Sequence, residues 1–286
     1  MTIDRICIIG VGLIGGSLAL ALKKAGYCKH IVGAGRNREK LQHAVDKGII
    51  DSCETDFKRA VADADLVFLS VPMGSMYDVL VEIAPALQPR TIITDAGSSK
   101  VSVVSDATEA LGKKREQFVP GHPIAGIEKS GADAAFDSLY HNRRVILTPL
   151  EDNRREDIDS VIAMWQATGA EVDEMSAEHH DLVLAGTSHL PHVLAFGLVD
   201  CLNRVEEVDE IFRFAAGGFR DFTRIASSDP VMWRDICLAN RDAILLMMQR
   251  YQVELEQLRT AISDSDETAL FDIFSRAKQA RDDFLM

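Results

Sequence analysis

Five stretches of the chain concentrate side chains that could bind anions or move protons. Gly10-Val11-Gly12-Leu13-Ile14-Gly15 is a glycine-rich loop of the GxGxxG type. Asp95-Ala96-Gly97-Ser98-Ser99-Lys100 and Gly121-His122-Pro123, with Glu128, Lys129 and Ser130 soon after, gather hydroxyls, an imidazole and charges of both signs. A third reactive segment runs from His179-His180-Asp181 to Ser188-His189-Leu190-Pro191-His192. On a helix, Asp181 and His192 lie about 20° apart around the axis and His189 about 60° from His192, so the three share a face. His189-x-x-His192 is a metal-type spacing, but no closely spaced acidic or cysteine ligand completes a tetrahedral set, and no metal is expected. Gly217-Gly218-Phe219-Arg220-Asp221-Phe222-Thr223-Arg224 sets two guanidinium groups four residues apart, on one side of a helix if the stretch is helical. Guanidinium is suited to bidentate capture of a carboxylate. The flanking phenylalanines and the double glycine weigh against a merely solvated face.

The glycine loop has the context its chemistry needs. It follows the apolar run Ile6–Ile9 and opens a helical stretch inside a βαβ unit. The glycines allow a tight turn, close approach of backbone to a pyrophosphate, and close helix–strand packing. The pyrophosphate would sit at the positive end of a helix beginning near Leu13 and Ile14. The second strand ends at Gly33-Ala34-Gly35-Arg36, where an NAD site usually carries Asp or Glu for the ribose 2′-hydroxyl. Gly35 removes the repulsion against a 2′-phosphate and Arg36 could pair with one. The loop therefore predicts NAD or NADP, with a lean to NADP. Ser70-Val71-Pro72, at the end of a later strand, is expected to border the nicotinamide or ribose.

The elements that must position these groups are read from periodicity. Strands are expected at Ile6–Gly10, His30–Gly33, Leu66–Val71, Thr91–Asp95, Gln117–Gly121, Val145–Thr148 and Ala170–Val172. Helices are expected at Ser17–Gly26, Arg38–Lys47, Met76–Leu87, Val101–Leu111 and Arg155–Thr168. Continuous apolar strands separated by helices indicate a mostly parallel sheet covered on both faces. From Ser176, an N-cap for Ala177–Val183, only helices are expected. Asp229-Pro230 starts one read as running to about residue 261, with Ile244, Met247, Tyr251, Leu255, Leu258 and Ile262 on one face. The fold class is thus an α/β Rossmann-like domain over residues 1–175, followed by an all-α substrate and dimerisation domain over residues 176–286.

Composition sets the outer limits. The chain has 286 residues with a formal net charge of −13, both halves being acidic. That argues against nucleic acid or an anionic membrane as partner. The five cysteines form no CxxC pair, as suits a reducing cytoplasm. The uncharged run at residues 6–22 is short for a membrane span, and its four glycines favour a strand, turn and helix.

Taken in order, GVGLIGGS, TDAGSSK, GHPIAGIEKSG, TSHLPH and GGFRDFTRIASSDPVMWRD resemble the prephenate/arogenate dehydrogenase family over essentially the whole chain. The resemblance implies NAD(P)-dependent oxidative decarboxylation of a cyclohexadienyl substrate in tyrosine biosynthesis. A hydride leaves C4, and loss of the ring carboxylate makes the product aromatic. It implies His122 as the base on the C4 hydroxyl and Ser98 as the serine that hydrogen-bonds the same hydroxyl. It further implies Arg224 on a substrate carboxylate, with His192, His189 and Arg220 beside it. Glu128, Asp181, Asp221 and Trp233 match residues that shape or gate the pocket. A cytoplasmic homodimer is expected, with tyrosine as an active-site inhibitor. Prephenate and arogenate stay unresolved, since no residue chooses between them. Two other readings are a β-hydroxyacid dehydrogenase-like or imine reductase and a non-catalytic dinucleotide sensor. The first lacks its helical-domain lysine, because residues 176–286 hold only Lys278; the second has no need of Ser98, His122 and Arg224 together.

Overall fold

The computed structural model describes residues 3–127 and 129–284. The chain begins β1 (Arg5–Ile9), α1 (Leu13–Ala25), β2 (His30–Ala34), α2 (Arg38–Asp46), β3 (Ser52–Glu54), α3 (Phe57–Val61), β4 (Leu66–Leu69), α4 (Met76–Ile83), β5 (Ile92–Asp95), α5 (Val101–Leu111) and β6 (Phe118–Val119). These six strands form one parallel sheet in the order β3-β2-β1-β4-β5-β6. Side chains alternate across a strand, so β1 serves two cores at once. Ile6 and Ile8 join Leu18, Leu22, Tyr140 and Trp165 on one face, while Cys7 and Ile9 join Val67, Leu69, Val79 and Leu80 on the other. This is why the strands read as unbroken apolar runs rather than alternating ones.

Three expectations for this domain are refined. Helix α1 starts at Leu13, as the phosphate loop requires, and not at Ser17, where periodicity alone begins it, because Gly15 and Gly16 mask its first turn. The β3–α3 pair was not foreseen. Its strand is three residues long at the sheet edge, and its five-residue helix is signalled only by Asp56, whose side chain accepts from the Arg59 amide. The single strand expected at Gln117–Gly121 is two. Pro120 has no amide hydrogen and interrupts the ladder. After it β7 (Gly121–Pro123) enters a second sheet with β8 (Arg144–Leu147) and β9 (Glu171–Glu174), antiparallel to β8, which is itself parallel to β9. Helix α6 (Arg155–Ala167) connects β8 to β9.

Beyond β9 the described residues are helical or irregular: α7 (Ala177–Leu184), α8 (Leu190–Leu202), α9 (Val208–Arg213), α10 (Gly217–Thr223), α11 (Pro230–Ala239), α12 (Arg241–Ser263) and α13 (Glu267–Phe284). A π-turn at Ala185–His189 joins α7 to α8 in one 26-residue helix. Pro191 cannot donate to the Thr187 carbonyl, and widening the turn before it accommodates the missing bond. By length and composition this helix could cross a membrane; its buried His180, Asp181 and His189 give it another purpose. The helix read as continuous from Pro230 to about residue 261 breaks at Asn240, whose φ of −108° and ψ of 34° are not helical. The chain forms two compact units, one up to Arg241 and one from Asp242 onward. In the second unit most apolar side chains stay exposed, among them Leu245, Tyr251, Leu255, Ile262, Phe271 and Phe274.

Candidate active site

The glycine turn lies at the C-terminal end of β1, between the ends of β2 and β4. Gly10 has φ of +99°, and a Cβ there would stand 2.3 Å from the Ser70 carbonyl oxygen. Ser70 pins the turn by donating its hydroxyl to the Gly10 carbonyl at 2.7 Å, while the Gly10 amide donates to Ala34. A Cβ on Gly15 would clash with the Gly10 carbonyl oxygen at 2.3 Å, so this glycine lets helix and turn touch. Gly12 differs: a Cβ there meets nothing within 4 Å, and its φ of −105° is open to any residue. The protein therefore has no packing need for a glycine at position 12. The need arises if a bulky group must approach the backbone there, as a dinucleotide pyrophosphate does at the N-terminus of α1. Leu13 and Ile14 form the first turn of that helix. Val71 is partly exposed and Pro72 exposed beyond β4, and Arg36 is exposed beyond β2. These residues fit a dinucleotide.

At the ends of β5 and β6 a buried ion pair ties two loops together. Lys100 Nζ lies 2.6 Å from Asp95 Oδ2, both side chains being wholly buried. The same ammonium donates to the Gly121 carbonyl at 2.6 Å, and Asp95 accepts from the Gly97 and Gly121 amides. Burial lowers the Lys100 pKa, opposed by the Asp95 charge. The result is a rigid bracket that fixes the residue before His122 to the Gly97–Lys100 turn.

From that bracket a chain of hydrogen bonds runs to the helical part. His122 Nδ1 is 2.8 Å from His180 Nε2, and His180 Nδ1 is 2.8 Å from Asp181 Oδ1. Asp181 also accepts from the Lys100 amide at 2.7 Å, the Val101 amide at 3.0 Å and the Ser99 hydroxyl at 2.8 Å. The carboxylate thus caps α5, where the helix dipole favours negative charge. Burial pushes its pKa up, but the bonds from His180 and the backbone amides outweigh this and hold it below the usual carboxylate range. Burial first, then the His180 and Lys100 charges, holds His122 well below the ordinary histidine value, so the imidazole is neutral. Burial also lowers His180, against the pull of Asp181.

Asn240 completes the network: its side-chain amide donates to the Asp181 carbonyl at 2.8 Å and reaches His189 Nδ1 at 2.9 Å. These two bonds hold Asn240 out of helical geometry and explain the break before α12. Burial takes His189 down to about 4. His192 donates through Nδ1 to the Ser188 carbonyl and stacks on Trp233, ring centroids 3.7 Å apart. The Trp233 indole N–H is buried with no acceptor among the described residues.

Of the residues singled out in the sequence, the structure brings His122, Asp181, His189, His192 and Trp233 into one connected region. Two details were not foreseen. Both oxygens of Asp181 are occupied by donors from the protein, so its carboxylate braces the two segments. The hydroxyl that reaches the histidine chain is that of Ser99; Ser98 stays partly exposed on the same turn. Arg220, on α10, and Arg224 are exposed, Arg224 opening the tight turn Arg224–Ser227 that packs against α8. Glu128 lies outside the described residues. Sequence reasoning placed Asp95, Lys100 and His180 in its reactive segments without giving them a role, and it passed over Asn240. His180 stands beside Asp181, about 100° away around the helix, and so fell outside the face on which Asp181, His189 and His192 were aligned.

A glycine turn at the C-terminal edge of an open parallel sheet, together with a buried chain of imidazoles braced by a carboxylate, marks a nucleotide-dependent oxidoreductase. Two family profiles match, "Prephenate dehydrogenase, nucleotide-binding domain" over residues 18–174 and "Prephenate dehydrogenase, dimerization domain" over residues 176–276. The chain is 40% identical to cyclohexadienyl dehydrogenase of Zymomonas mobilis, across 98% of this chain and 96% of that protein. It is 41% identical to prephenate dehydrogenase of Bacillus subtilis, across 98% of this chain and 76% of that protein. The crystal structure of A. aeolicus prephenate dehydrogenase in complex with hydroxyphenyl propionate and NAD+ superposes with a TM-score of 0.92 at 38% identity, covering 99% of both chains. The chain belongs to the prephenate dehydrogenase family.

Proposed function

We propose that this protein catalyses oxidative decarboxylation of prephenate, arogenate or both, as a step of tyrosine biosynthesis. The observation that carries the reading is the neutral, hydrogen-bonded His122, held in register between the sheet and the helical region. Its imidazole takes the proton of the C4 hydroxyl, and Ser98 hydrogen-bonds the same oxygen. A nicotinamide dinucleotide, when bound, supplies the acceptor for the hydride that leaves C4. Gly10, Gly12 and Gly15, with Leu13 and Ile14, hold its pyrophosphate; Ser70, Val71 and Pro72 border its nicotinamide end. Arg224, with Arg220, His189 and His192, meets the substrate carboxylates. Trp233 closes the pocket wall.

Gly35 in the usual acidic position, followed by the exposed Arg36, supports NADP over NAD. The division of labour falls near residue 175, between a nucleotide domain and a helical substrate domain, in keeping with the limits of the two family profiles. The uncovered apolar face of α12 supports a homodimer through the C-terminal helices. Tyrosine, which shares the product's ring, is read as an inhibitor at the active site. Its inhibition should disappear in an Arg224→Ala variant that still binds dinucleotide. A cytoplasmic location suits the reaction. The reading is tested by His122→Asn: turnover should fall at least about 100-fold while dinucleotide binding, followed by fluorescence, stays within twofold. Undiminished turnover would overturn it.

A further inference from the structure

The mechanism above uses His122 but gives no work to the imidazole behind it. His180 is wholly buried, is bonded on both ring nitrogens, and sits between His122 and Asp181. The direction of every hydrogen bond in this chain can be worked out from its far end. Asp181 receives the Lys100 and Val101 amides, which can only donate, together with the Ser99 hydroxyl and His180 Nδ1. A carboxylate with both oxygens so occupied is an acceptor throughout, so the proton between Asp181 and His180 rests on Nδ1 of His180. The Nε2 of a neutral His180 then carries a lone pair. Across the 2.8 Å gap, His122 must be the donor through its own Nδ1. That leaves Nε2 of His122 without a proton.

We infer that His180 is the positioning residue of this site: it passes the polarity of Asp181 on to His122, fixing the tautomer in which Nε2 presents its lone pair to the substrate hydroxyl. This rests on the reading of His122 as the base. Without His180, the Nδ1–H of His122 would point at nothing, and the ring would be free to turn over or to carry its proton on the reacting nitrogen. The other charged and titratable groups facing the pair are Lys100 and Asp95 from the β5–α5 segment and His189 from the π-turn. Lys100 is already matched by Asp95, and His189 Nδ1 by Asn240, so Asp181 alone sets the direction of the chain.

The direct test is long-range nitrogen–proton NMR on the ligand-free protein with nitrogen-15 histidine, assigned through His122→Asn and His180→Phe. Both His122 and His180 are expected as the Nδ1–H tautomer. In His180→Phe the His122 signals should move to the other tautomer or to a mixture, and kcat should fall on the order of 100-fold with KM within about twofold. His180→Gln, whose amide can accept from His122 and donate to Asp181, should recover most of the loss. An Nε2–H tautomer for His122 in the wild-type protein, or unchanged kcat in His180→Phe, would overturn the assignment. If His180→Phe does not fold, the wild-type tautomer and the His180→Gln kinetics still decide. Full turnover in His122→Asn would instead remove the base reading and leave the tautomer result standing by itself.

Discussion

At the scale of single residues, the site is built from histidines that burial keeps neutral. His122, His180, His189 and His192 are all held below the ordinary histidine value, with burial the largest cause for each. The sign of the consequence follows. The unfolded chain takes up protons on these rings as the pH falls through 6.5, while in the folded protein His189 resists down to about 4. Folding is therefore fully stable above that window and loses stability on acidification through it. For His189 alone the difference amounts to roughly 3 kcal/mol across the window. Urea midpoints measured from neutral to mildly acid pH should drop, and His189→Gln should flatten the slope; a midpoint independent of pH in the wild-type protein would contradict this. The Asp95–Lys100 pair makes a second prediction at this scale. Lys100→Met strands a buried carboxylate, and the loss expected for such a break is about 3–5 kcal/mol. A loss under 1 kcal/mol in chemical denaturation would show that the bracket does not hold the loop.

At the scale of elements, the two ends of the glycine turn should behave oppositely when substituted. Gly10→Ala puts a Cβ against the Ser70 carbonyl in a left-handed conformation and should destabilise the protein by about 2 kcal/mol or more. Gly12→Ala adds a methyl where the chain has open space, so the melting temperature should hardly change. That methyl occupies the approach of the pyrophosphate, and dinucleotide affinity should drop at least about tenfold. Equal affinity in Gly12→Ala would argue against binding over this turn. The same elements show how much of the fold was legible in the sequence. The strands at β1, β4 and β5 and the helix at α5 were readable because an apolar run or a helical period leaves a local signature. The break at Pro120 was masked by continuous strand-like residues on either side. The break at Asn240 was not readable, because its cause is a pair of hydrogen bonds to Asp181 and His189, residues more than fifty positions away. His122, His189 and His192 were legible as chemistry-bearing types in suggestive motifs. The role of Asp181 as a brace was not, since it depends on which donors the folded chain brings to its oxygens.

At the scale of the whole molecule, α12 and α13 present Leu245, Tyr251, Leu255, Phe271 and Phe274 to solvent in the single chain. A face of that kind calls for a partner, and the family's dimerisation profile covers α12 and the first part of α13. The mass in solution by light scattering is expected to be twice that of the chain. Tyr251→Glu combined with Leu255→Glu should shift it toward a single chain; an unchanged dimer would move the interface elsewhere. The central claim concerns the reaction itself, and one kinetic grid tests it most directly: nicotinamide reduction followed by absorbance with prephenate and with arogenate, each with NAD and with NADP. Turnover is expected in at least one of the four mixtures, stronger with NADP, and abolished by His122→Asn. Silence in all four, from folded protein that still binds a dinucleotide, would contradict the account.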